Sequence, residues 1–325
     1  MLVLLGLTAV LVLVMALSVA YGSRDVGLDD ILAAVGGSTD GFDHGAVARR
    51  IPRTWLAVIA GAGLAVSGAV MQGVTRNPLA DPGILGVTTG ASLAVVIGLA
   101  WFSIATMTAY IVFAIVGAAA TAAFVYLIGS LGRGGATPLK LTLAGAATTA
   151  ALSSLVTALV LPRQDIAEGA ISWQIGGVGG ATSASITTVA PFLVAGFVVC
   201  LLMARGLNAL ALGDELAAGL GQRVAWSRGI AAAGAVVLAG AVTAVTGPIA
   251  FVGLVVPHLC RLLAGPDHRW LLPLSALGGG ILLTAADILG RVVARPEEVD
   301  VGILVAIVGA PFFIAIVRRQ RMREL

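Results

Sequence analysis

Charge is the scarcest property of this 325-residue chain: Asp, Glu, Lys and Arg together supply 11% of it, where soluble domains carry about 25%. That leaves too little polar surface to cover a water-soluble globule, and 59% of the residues are hydrophobic. Lysine is nearly missing, with Lys140 standing alone beside 18 arginines. A P-loop ends in Gly-Lys-Ser/Thr because its lysine reaches the nucleotide phosphates. Lys140 lies in TPLKL with no preceding glycine, so this chain is not a P-loop ATPase. Only two cysteines occur, Cys200 and Cys260, both in apolar stretches and without a CxxC spacing. A disulfide framework and a zinc site are excluded on that ground, and both cysteines read as small packing hydrophobes. There is no H-E-x-x-H, no G-x-S-x-G and no cluster of acids to build a membrane-embedded enzyme. A net charge of +3 is too mild to imply a nucleic-acid partner.

What the chain has in abundance is apolar runs and glycine. Runs long enough to cross a bilayer fall near residues 2–20, 54–74, 84–104, 108–131, 141–161, 184–204, 229–247, 251–264, 271–293 and 302–317. The expected fold is therefore all-α, a single polytopic membrane domain of about ten transmembrane helices spanning 1–325. The first run is about 20 residues long with no basic residue before Arg24, which fits a retained helix better than a signal peptide. The arginines of the tail, Arg318, Arg319, Arg321 and Arg323, place the C-terminus in the cytoplasm by the positive-inside rule. Ten spans then put the N-terminus there as well. Twelve basic residues fall inside and seven outside (Arg24, Arg49, Arg50, Arg53, Arg163, Arg291 and Arg295).

Two further patterns concern packing. Gly61, Ala65, Ala69 and Gly73 recur every four residues and form one small-residue stripe, the kind that lets membrane helices approach closely. Ser67–Gly83 (SGAVMQGVTRNPLADPG) echoes Ala239–Gly253 (AGAVTAVTGPIAFVG). In this topology the two run in opposite directions, as the halves of an inverted repeat do.

Three stretches carry a family resemblance. They are Arg49–Ser92, with RRIPR and RNPLADPGILG; Leu207–Gly221 (LNALALGDELAAGLG); and Gly247–Val293, opening GPIAFVGLVVPH, continued by VGILVAIVGAPFF at Val301–Phe313. In order and spacing they resemble the FecCD-type permeases, the membrane subunits of type II ATP-binding-cassette importers for ferric siderophores, haem and cobalamin. The resemblance implies a pore formed with a second permease copy or a paralogue in the cell membrane. It also implies two ATPase subunits on the cytoplasmic side and an extracytoplasmic substrate-binding protein. No cofactor is expected in this chain, since ATP and magnesium would sit on the partner ATPase. A ferric siderophore is the expected cargo, with haem or cobalamin as alternatives.

Residue by residue, the resemblance makes 205–228 an ATPase-coupling segment, carried by Leu207, Leu212, Gly213, Asp214, Glu215, Ala218 and Gly221. Arg50, Arg53 and Arg291 match arginines that dock the acidic lobes of the binding protein, although span-flanking arginines also snorkel to the interface. Thr137, Pro138 and Leu139 match the cytoplasmic gate, with Pro138 and Leu139 in place of the family's small polar residues. Glu298-Val299-Asp300-Val301-Gly302 stands where the family has E-L-P-V-G, and Asp300 can cap the last span instead. His258 and His268 match positions shared across cargoes and are read as structural, while His44 is a solvated loop histidine.

Asp287 is the single acid inside an expected span. A lone carboxylate there costs roughly 3 kcal/mol on insertion scales. Arg291 lies four residues on, so an intramembrane ion pair is expected ahead of a proton relay. The competing class, an ion-coupled secondary transporter, needs several ionisable groups near the midplane, and Asp287 alone does not supply them.

Overall fold

A computed structural model describes residues 2–23, 26–27, 29–30, 36, 42–131 and 137–321. Among them are thirteen helices and no strand. The first seven are α1 (Leu2–Ala20), α2 (Phe42–Thr75), α3 (Val87–Phe102), α4 (Met107–Ser130), α5 (Pro138–Val160), α6 (Gln164–Ile175) and α7 (Ser183–Leu202). The rest are α8 (Ala204–Ala211), α9 (Asp214–Gly219), α10 (Val224–Thr246), α11 (Val252–Ala264), α12 (His268–Val293) and α13 (Val301–Arg321). Seven helices are long and apolar enough to cross a membrane, and α3, α11 and the apolar part of α13 are shorter. These ten coincide with the ten expected spans. Arg24, Arg133 and Arg323, counted for orientation, lie outside the described residues.

Local chemistry sets the ends. Thr137 caps α5 by accepting from Lys140 N at 3.3 Å, with Pro138 in the first turn. Pro tolerates that position because its missing N–H would have no partner there. Thr182 and Ser185 close a reciprocal capping box on α7. Asp267 caps α12 through Arg269 N at 2.9 Å.

Some boundaries depart from the expected ones. Helix α2 begins at Phe42, twelve residues ahead of the apolar run. Its first turns carry Asp43, His44, Arg49 and Arg50, which hide a helix from a hydropathy reading. Helix α6 falls between the fifth and sixth expected spans. Helix α13 starts at Val301, its first turn closed on the Asp300 carbonyl by Ile303 N at 3.1 Å.

The small-residue stripe packs α2 onto α12. A methyl at Gly61 would run into the Gly279 backbone, and one at Gly279 into Gly61 and Ala65. Lower on the same stripe, Gly73 faces the His268 ring. The echoed segments meet as well. Each consists of a long helix end, a break and a short helix: α2, residues 76–86 and α3; then α10, residues 247–251 and α11. Gly68 abuts Gly253, and Gln72 Nε2 donates to the Gly253 carbonyl at 3.0 Å. Ser67 Oγ donates to Ala235 O at 2.7 Å. Broken backbone at membrane depth persists only where protein or a cavity surrounds it; Ala80, Asp81, Pro82, Leu85 and Gly86 of the first break and Gly247 and Ile249 of the second are buried.

Candidate functional site

One end of the bundle is organised around Asp287. Its carboxylate is 1% exposed and takes Arg291 Nη2 at 2.9 Å, four residues away on α12. It also takes Arg53 of α2 through Nη2 at 2.8 Å and Nε at 3.0 Å. Arg53 turns its remaining Nη1 to Glu298, at 2.6 Å. Burial works against the charge of Glu298, but its hydrogen bond and attraction to Arg53 hold the carboxyl below the ordinary range. The expected Asp287–Arg291 pair is thus part of a four-residue network reaching from the interior to the surface.

Arg291 also serves the end of α1, together with Arg50 and Arg295. A helix leaves its last carbonyls without partners, and in an apolar surround each unpaired group costs several kcal/mol. Arg291 Nη1 donates to Ser18 O (3.0 Å) and Tyr21 O (3.1 Å), and its Nη2 to Ser18 Oγ (2.7 Å). Arg50 Nη1 donates to Val19 O (3.1 Å) and Ala20 O (2.8 Å). Arg295 Nη2 reaches Gly22 O at 2.5 Å. Cations suit that end of a helix electrostatically too.

Of the arginines expected to dock a partner, Arg50 and Arg291 are 6% and 1% exposed, with their guanidiniums engaged inside the chain. Arg53 is partly exposed, and Arg49, four residues earlier on α2, is exposed. A span-flanking arginine reads the same whether it reaches solvent or a neighbouring helix end, so sequence could not separate the two.

The opposite end carries residues 205–228, the segment expected to couple to an ATPase. Helices α8 and α9 lie between α7 and α10, with Leu207 buried on α8 and Leu212 exposed beyond it. Gly213 (φ 110°) and Gly221 (φ 82°) bound α9 in backbone conformations that favour glycine. Glu215, Ala218 and Gly221 are exposed, as are Leu216 and Leu220. Asp214, its side chain 52% exposed, is paired with Arg76 just beyond α2 and with Arg228 of α10 at 3.0 Å.

A cavity of about 500 Å³ opens between α2, α4 and α10, walled by Met71, Val74, Ala122, Tyr126, Arg228 and Ala232 among others. Thr137 and Leu139 lie outside its lining; Leu139 is exposed, and the Pro138 side chain lies outside the described set.

Sequence reasoning missed Asp81. It lies in the break after α2, 6% exposed, accepting from Gly83 N at 2.7 Å. Its setting between Pro78, Ala80 and Pro82, with few polar neighbours, was the available signal. Among the histidines, His258 stacks edge-on against Phe312 (5.9 Å, 80°). His44 lies 3.2 Å from Asp30 rather than in open solvent. His268 is bound to Asn208 of α8. Among the described residues no group of His, Cys, Asp or Glu could hold a metal ion.

Seven helices of membrane-spanning length and three shorter apolar ones mark a multi-pass membrane protein. Residues 10–319 match the FecCD transport family, and the chain belongs to it. It is 43% identical over 270 residues to the "Probable siderophore transport system permease protein YfiZ" of Bacillus subtilis, covering 83% of this chain and 81% of that one. With the "Ferric enterobactin transport system permease protein FepD" of Escherichia coli it shares 41% over 317 residues, 97% of this chain and 94% of that one. A solved structure of a metal-chelate type ABC transporter in an inward-facing conformation superposes with a TM-score of 0.82. It is 28% identical and covers 97% of this chain and 98% of that one.

Proposed function

We propose that the chain is the membrane subunit of an ATP-driven importer that passes a ferric siderophore through a pore formed with a second permease, a copy or a paralogue. The observation that carries this is near full-length similarity to siderophore permeases, joined to a segment that holds Glu215, Leu216 and Leu220 exposed at one end. In this reading the α8–α9 end is cytoplasmic. Arg76, Lys140, Arg205, Arg223, Arg228, Arg261 and Arg269 gather there or are counted there by topology, as the positive-inside rule requires. Two ATPase subunits bind that end and hold ATP and magnesium. Thr137, Pro138 and Leu139, at the start of α5, are the proposed gate.

A substrate-binding protein docks at the Asp287 end, on exposed Arg49 and the solvent edge of Arg53. Arginine forks pair geometrically with carboxylates, so an acidic docking face suits it. The ion-coupled alternative is weakened by the Asp287 network, which already satisfies that carboxylate twice over.

Purifying the tagged chain from its native membrane in mild detergent tests the assembly. An ATPase subunit is expected to co-purify, and a captured binding protein is expected to take up a ferric siderophore on titration. Recovery of the folded chain alone would overturn the importer reading. A binding protein that takes haem or cobalamin instead would correct the cargo only.

A further inference from the structure

We propose that Asp214 is an internal joint, tying the coupling segment to the ends of α2 and α10, rather than a contact with the partner ATPase. This rests on the importer reading above.

Two guanidiniums are brought to one place at this end of the bundle. Arg76 follows α2 directly and holds a left-handed backbone (φ 50°), rare for a residue with a side chain and kept only where its surroundings impose it. Arg228 comes from the second turn of α10. Burial and the nearby charge of Arg228 both lower the proton affinity of Arg76. Asp214 is the acid between them, taking Arg228 Nη2 at 3.0 Å and pairing with Arg76. Without it, two like charges face each other across the gap between the two helices.

The segment has a second polar attachment. Asn208 on α8 donates through Nδ2 to Asp267 Oδ1 at 2.6 Å. Its Oδ1 accepts from His268 N at 2.9 Å and lies 2.8 Å from His268 Nδ1. An amide oxygen cannot donate, so Nδ1 carries the proton. Hydrogen bonds from Arg269 and Asn208 hold the Asp267 carboxyl well below the usual carboxylate range. Helices α8 and α9 are therefore pinned at two points to three spans: α8 to α12, and α9 to α2 and α10.

The faces then divide. Leu212, Leu216 and Leu220 are 56%, 62% and 66% exposed, and Glu215 is exposed beside them. That is the face left for the ATPase. Asp214 instead holds Arg228, which together with Thr75 walls the 500 Å³ cavity. A push on the leucines reaches the cavity wall through Asp214. Exposed ion pairs contribute little stability, and the Asp214 side chain is half exposed. The joint can therefore be cut without unfolding the chain.

The test uses the whole complex reconstituted with its ATPase and binding protein. Asp214→Asn is expected to assemble and to hydrolyse ATP, while uptake per ATP falls by about tenfold, the scale of a typical coupling energy. The triple exchange Asp214→Arg, Arg76→Glu, Arg228→Glu rebuilds the pairing with signs reversed and is expected to recover a large part of that ratio. A merely structural role would not move uptake per ATP. Unchanged uptake per ATP in Asp214→Asn overturns the proposal. Loss of ATPase binding in Asp214→Asn that the triple exchange fails to restore also overturns it, by making Asp214 a partner contact. Should the wild-type chain bind no ATPase at all, the importer reading fails first and the joint falls with it, an outcome visible before any variant is made.

Discussion

Replacing Asp287 with alanine is expected to destabilise the protein by about 3–5 kcal/mol, the usual consequence of removing one member of a buried ion pair. Asp287 is the carboxylate that both Arg53 and Arg291 share, at 2.8 and 2.9 Å. Its loss leaves two guanidiniums in an apolar surround with no anion between them. The damage then spreads, because Arg291 also holds Ser18 O and Tyr21 O. Helix α1 has a single fully buried residue, Ser18, and Ser18 is one of the groups that Arg291 holds. Asp287→Asn keeps an acceptor oxygen but no charge and should fall between. Glu298→Gln removes a half-exposed partner and should cost under about 1 kcal/mol. Thermal unfolding in detergent checks the order. A shift smaller than about 2 °C for Asp287→Ala, less than 1 kcal/mol would produce, contradicts a network centred on this carboxylate.

Gly61→Val is the second large effect. A Cβ at Gly61 would meet the Gly279 carbonyl, and the atoms in the way are backbone. No side chain can rotate aside, so α2 and α12 must separate along the stripe. Overpacking typically costs about 1–3 kcal/mol, and the rigid backbone contact puts this site at or above the top of that range. Gly68→Val, against Gly253, should behave alike by separating the two echoed halves. Gly45→Ala is the control, since nothing lies within 4 Å of that position. Yield of monodisperse protein and its unfolding temperature would distinguish them. Equal behaviour of Gly61→Val and Gly45→Ala would show that α2 and α12 are not in close backbone contact at the stripe.

These two sites also mark how far the sequence could be read. The ten spans were legible because an apolar run of bilayer length has few stable fates other than crossing the membrane. The Gly61–Gly73 stripe was legible because its four-residue period survives without any structure, and the Asp287–Arg291 spacing for the same reason. Arg53 was not, since a partner 234 residues away leaves no local signal. Arg50 and Arg291 were read as outward-facing because a hydropathy boundary fixes depth and not direction. The start of α2 at Phe42 was hidden by its own charges, of which Arg50 is directed to the end of α1 and, further along, Arg53 to Asp287. Asp81 escaped because the break after α2 folds back into the bundle, where residues between spans are ordinarily taken to be in water. That Asp214 is paired with Arg76 and Arg228 while the adjacent Glu215 is exposed needed coordinates.

The central claim is that this chain forms part of an ATP-driven import pore, and reconstituted uptake tests it most directly. The chain, with its co-purified subunits, is placed in liposomes loaded with ATP and magnesium, and radioactive ferric siderophore is presented outside on the binding protein. The predicted result is uptake that needs both ATP and the binding protein and that stops when ATP is replaced by a non-hydrolysable analogue. Uptake by the chain alone, driven by an ion gradient and indifferent to ATP, would contradict the claim.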